Sequence, residues 1–113
     1  MPRGSYAWAD ALAHEMIDTI TDVAHALALI NIDTHDYRGA QRAAAIGLTA
    51  NSCNEQLFRD AIAAAHRAGD EDEVDRLVAT LRTRIEQIDP DGDLEDDTIE
   101  LLETLQLAKS NDP

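Results

Sequence analysis

His35-Asp36-Tyr37-Arg38-Gly39-Ala40 and Gly69-Asp70-Glu71-Asp72-Glu73-Val74 decide how this chain is read, because their aspartates stand 34 residues apart. At the same offset Ala40 meets Val74, Ala43 meets Leu77 and Ala44 meets Val78, while upstream Leu27 and Ala28 fall opposite Ala61 and Ile62. A repeat of that length, with Asp placed before each apolar helical run, describes helix, turn, helix, twice over.

Working outward, Ala9, Leu12, Met16, Ile20, Val23, Leu27 and Ile30 recur at steps of three and four and mark one face of a helix over 7–30. A second helix is predicted over 37–49, where Ala40, Ala43 and Ala44 let its partners approach closely. Asn51-Ser52-Cys53-Asn54 supplies a turn and N-caps for a third helix over 55–68, which Gly69 ends. A fourth runs from Glu71 to Ile88, Asp89-Pro90-Asp91-Gly92-Asp93 breaks the chain, and a fifth follows over 97–108 with Ile99, Leu102 and Leu105. No segment alternates with period two, so no strand is predicted. The expected fold is all-α, with about five antiparallel helices in a single domain spanning 1–113 and ordered over about 8–108. The abrupt Met1-Pro2 opening and the 109–113 tail are compatible with a C-terminal piece of a larger chain.

Composition excludes several classes. The 113 residues are 44% hydrophobic and 28% charged, which argues against disorder. Nine Lys and Arg against 23 Asp and Glu give a net charge of −14, which repels nucleic acid and anionic membranes. DNA contact is therefore expected only through a separate domain, and no membrane contact is expected. The single Cys53 rules out an internal disulfide and suits a reducing compartment. No apolar run has spanning length, and Met1 to Tyr6 lacks a signal-peptide core, so the expected location is cytoplasmic.

Gly47-Leu48-Thr49-Ala50-Asn51 resembles the close of a tetratricopeptide unit, with Ser52 where that motif usually has proline. A more specific resemblance lies in Glu55-Gln56-Leu57-Phe58-Arg59-Asp60-Ala61, His66-Arg67-Ala68-Gly69-Asp70, Leu77-Val78-Ala79-Thr80-Leu81-Arg82, and Asp93-Leu94-Glu95-Asp96-Asp97-Thr98 followed by Leu101-Leu102. These segments resemble the bacterial transcriptional activator domain, the tetratricopeptide-like module behind the winged-helix domain in regulators of the antibiotic regulatory protein type. The likeness covers about residues 8–105. It implies tetratricopeptide-like helical hairpins, no catalysis, no cofactor, and a role in protein interaction or oligomerisation. Such solenoids leave a groove for a partner. The first helix of each hairpin is expected to line it, through His25, Leu29, Phe58, Arg59, Ile62 and His66. Leu101 and Leu107 lie off the Ile99–Leu102–Leu105 stripe and offer a self-association surface. A free-standing acidic adaptor is the alternative within the same class.

A rival from another class is a small metal-dependent enzyme built on His14, Asp18, Asp22 and His25, which share one side of the first helix. That side is opposite the apolar series, so a solvated polar face is the expected reading and no metal is predicted. The acids between Asp89 and Asp97 lack the glycine of a calcium loop and are better explained as helix-start acids, with Asp96 or Asp97 as the cap. Cys53 has no histidine signature around it. Arg76, Arg82 and Arg84 sit among Asp72, Glu73 and Asp75 and are expected to form surface ion pairs. Tyr6 and Trp8 are expected either to plug the end of the bundle or to meet a preceding domain.

Overall fold

A computed structural model describes the chain from Ala7 to Ser110, with side chains from Trp8 to Gln106. The described residues are all-helical: α1 (Ala7–Asp33), α2 (Tyr37–Ala50), α3 (Glu55–Arg67), α4 (Glu71–Ile88) and α5 (Asp96–Ser110). The two turns that stand 34 residues apart share their local backbone geometry. Asp36 caps α2 and Asp70 caps α4 with nearly equal dihedrals (φ −91°, ψ 75° and φ −96°, ψ 77°). Each carboxylate accepts from the amide three residues on, Gly39 and Glu73 respectively. The preceding residues, His35 at φ 62° and Gly69 at φ 79°, both occupy the left-handed region. Both helix ends close by the same two bonds: Asp36 N–H to Asn31 O and His35 N–H to Ile32 O, then Asp70 N–H to Ala65 O and Gly69 N–H to His66 O.

Small residues set how the helices meet. Gly47 is buried where α1, α2 and α3 approach. A β-carbon built on it would come within 2.6 Å of a Leu57 methyl and 2.7 Å of Ala24 Cβ. Gly39 in the same way lies against Asn31, so residue numbers fall on α1 as they rise on α2 and the pair is antiparallel. A small-residue cluster of Ala28, Ala40, Ala43 and Ala64 joins α1, α2 and α3, flanked by Ile32 and Tyr37.

The larger cluster belongs to α3 and what surrounds it. Phe58, Leu57, Ile62 and Leu81 are fully buried. Ala44, Ala61 and Ala65 join them with Val74 and Leu77 of α4 and Leu94 before α5. Ile99, Leu102 and Leu105 pack against this cluster, and α5 approaches the second hairpin on the side of α3. The link into α5 is pinned to α3. Glu95 N–H donates to Glu55 Oε1 at 2.8 Å, and Arg59 donates to Glu95 Oε1 at 3.0 Å and to the buried Thr98 hydroxyl at 2.9 Å. Helix α5 starts at Asp96, so Asp96 and Asp97 are first-turn acids and not its cap.

The first helix departs from expectation in which side it buries. The residues turned inward are Thr21, Ala24 and Ala28, with Ile17, His25, Asn31 and Ile32 half-buried beside them. The apolar series is left outside: Leu12 (47% exposed), Met16 (56%), Ile20 (40%), Val23 (52%), Leu27 (47%) and Ile30 (57%). Close approach explains the choice, since Gly47, Ala40 and Ala43 present a shallow surface that another small residue fits and a leucine does not. Between Trp8 and Ile20 only Ala9 and Ile17 are half-buried, so the start of α1 projects as an arm.

Candidate interaction surface

The six residues expected to line a groove are not brought together. Phe58 and Ile62 are 1% and 0% exposed and belong to the core, a correction that follows from α3 being wrapped by α1, α2, α4 and α5. Arg59 is committed to Glu95 and Thr98. His66 donates from Nδ1 to Glu71 Oε1 at 2.8 Å across the α3–α4 turn. Leu29 is exposed, on a side of α1 away from both clusters. Leu101 is half-buried against the main core and so is not the free surface expected of it. The Leu107 side chain, like Tyr6, lies outside the described residues.

His25 takes a structural role. Its Nδ1 donates to Asp60 Oδ2 at 2.6 Å, joining α1 to α3 across 35 residues. Burial pushes the Asp60 carboxyl above its ordinary value, against the hydrogen bond and charge of His25 and the charge of Arg59, which pull it down. His25 therefore does not share a solvent face with His14, whose Nδ1 donates to the Asp10 carbonyl at 2.8 Å. Among the described residues no group of three or more His, Cys, Asp or Glu is placed to hold a metal ion.

The basic residues are distributed among separate tasks. Arg76 pairs with Glu73, as expected. Arg84 donates to the Ser52 carbonyl at 2.8 Å and lies 5.5 Å from the centre of the Phe58 ring, so it ties α4 to the α2–α3 turn. An open cleft of about 420 Å³ between α2 and α4 has Arg38, Gln41, Arg42 and Arg76 around it and Leu48 and Leu77 within it. Half-buried Cys53 lies 3.8 Å from the Ser52 hydroxyl.

What remains as a coherent surface is the exposed side of α1. Trp8, at 67% exposure, continues the series from Leu12 to Ile30 at the helix start and plugs nothing. On α2, Ile46 is 61% exposed and adjoins Gly47, where α2 meets Ala24. Single exposed apolar residues are ordinary, but a helical stripe of this length is a contiguous apolar patch. No helix among the described residues is long and apolar enough to cross a membrane. The chain matches no family model, no curated protein and no solved structure.

Proposed function

We propose that the chain is a non-enzymatic protein-interaction and oligomerisation module. In kind it is the tetratricopeptide-like activator domain of a bacterial transcriptional regulator, whose DNA contact belongs to a separate domain. The observation that carries this reading is the uncovered apolar stripe of α1, from Leu12 to Ile30. A helical segment that projects from its body is marginal in water on its own, and covering the stripe removes apolar surface from solvent. The equal caps of Asp36 and Asp70, 34 residues apart, support the hairpin-repeat part of the reading.

The test is photo-crosslinking in the cells that make the protein, with a photoreactive amino acid at Val23 on the stripe or at Thr83 on the exposed outer side of α4. Discrete adducts from Val23 and none from Thr83 are expected. Equal or absent crosslinking at both positions overturns the reading.

A further inference from the structure

We infer that a second copy of this chain covers the stripe, with the two α1 helices lying antiparallel about a two-fold axis between Ile20 and Val23; this rests on the interaction-module reading above. Met16, Ile20, Val23, Leu27 and Ile30 alternate at steps of four and three, and Ala9 and Ala13 continue the alternation toward the helix start. That is the seam of a two-helix coiled coil. Turned on itself about the stated axis, the series is self-complementary. Met16 faces Leu27 of the second copy, Ile20 faces its Val23, and Ala13 faces its Ile30. A closed two-fold interface requires this property of one surface.

The flanks of the seam select the same arrangement. Helix α1 carries Asp10, Glu15, Asp18, Asp22 and Asp33 and no Lys or Arg, so self-pairing requires that its acids avoid each other. In the antiparallel register Thr19 lies opposite Ala26 of the second copy, Leu12 opposite its Asp33, and Asp10 opposite its Asn31. No acid faces an acid across the seam. The projecting arm of each chain, Trp8 to Ile20, then lies along the Val23–Ile30 stretch of the other, and the opposed helix dipoles are favourable.

The area is sufficient. With Trp8 to Ile30 of the stripe 40% to 67% exposed, each chain offers on the order of 600 Å², so the pair covers about 1,200 Å², where specific interfaces of roughly 1,200–2,000 Å² begin. Each copy carries −14, so the two bodies repel at long range and added salt strengthens the dimer by screening.

Sedimentation of the whole chain over a range of concentrations and salt tests this. A dimer that tightens with salt is expected. Val23→Glu should leave a monomer that still unfolds cooperatively, its helical circular dichroism lowered by no more than fraying of the projecting start of α1, and Ile88→Glu, exposed but off the stripe, should leave the dimer intact. Spin labels on Asp22→Cys or Asp33→Cys, each in a Cys53→Ser background, read the geometry without disturbing the seam. The axial separation grows from near zero at residue 22 to about 35 Å at residue 33 in the antiparallel pair, from the rise of about 1.5 Å per residue. Equal short distances at both positions overturn the arrangement. A chain that stays monomeric, or a dimer indifferent to Val23→Glu, overturns the proposal. In that case Val23 crosslinks to a different protein preserve the interaction-module reading, and their absence removes both.

Discussion

Exchanging Gly47 and Ala24 tests why α1 buries its small-residue side. Gly47→Ala alone places a methyl group 2.7 Å from Ala24 Cβ and 2.6 Å from a Leu57 methyl, inside contact distance for both. Overpacking of that kind costs about 1–3 kcal/mol, against a helix-propensity gain of about 1 kcal/mol for Gly to Ala. Ala24→Gly alone loses the same propensity and leaves a small void. The double variant keeps the composition of the two helices and puts one methyl back between them. Propensity cancels in the exchange, so what remains is packing. The double variant is expected to be more stable than the two single changes predict by about 1–2 kcal/mol, within the range for residues in direct contact. Urea unfolding at one fixed chain concentration reads this, since self-association would otherwise shift the midpoint. Strict additivity, or a stabilised Gly47→Ala chain, would refute the close approach of α1 and α2 and with it the outward stripe.

Gly69→Val should lower stability by roughly 1 kcal/mol or more, through strain at φ 79° and not through a clash, because nothing lies within 4 Å of the added β-carbon; unchanged thermal unfolding contradicts this. Burial raises Asp60, so its contribution to stability is complete below its ordinary value of 3.8 and is lost as pH rises through the raised value. Urea midpoints from about pH 3 to about pH 6 should therefore move in favour of Asp60→Asn relative to the parent chain, and movement the other way would mean that the His25 pair outweighs desolvation. Truncation after Asp93 removes the buried Leu94 and Thr98 and the α5 residues that pack against the main core, so light scattering should detect aggregation. A monomeric truncated chain with full helicity in α1–α4 would make α5 an appendage.

Much of the fold is legible in the sequence because it is local. Asp36 and Asp70 announce helix starts, and Gly69 announces a helix end, through bonds that span only a few residues. The choice of buried side in α1 is not local. Apolar periodicity ranks faces by hydrophobicity, whereas Gly47, Ala40 and Ala43 opposite α1 select for size, and Ala24 and Ala28 fit where Leu27 does not. The groove residues fail for a related reason. Phe58 and Ile62 are the right types for a partner surface, but α3 sits at the centre of the stack, and centrality belongs to the topology. The His25–Asp60 pair joins residues 35 apart on different helices, so no spacing rule could have found it.

Cysteine reactivity along α1 measures the central claim most directly. In a Cys53→Ser background, Val23→Cys, Leu27→Cys and Ala28→Cys are labelled at chain concentrations low enough to prevent self-association. Val23 and Leu27 are 52% and 47% exposed and Ala28 is 0% exposed, so the first two thiols should react nearly as fast as in the unfolded chain and the third only on opening. Rapid labelling at Ala28 with protection at Val23 and Leu27 would mean that the apolar series faces inward, and the interaction surface would not exist.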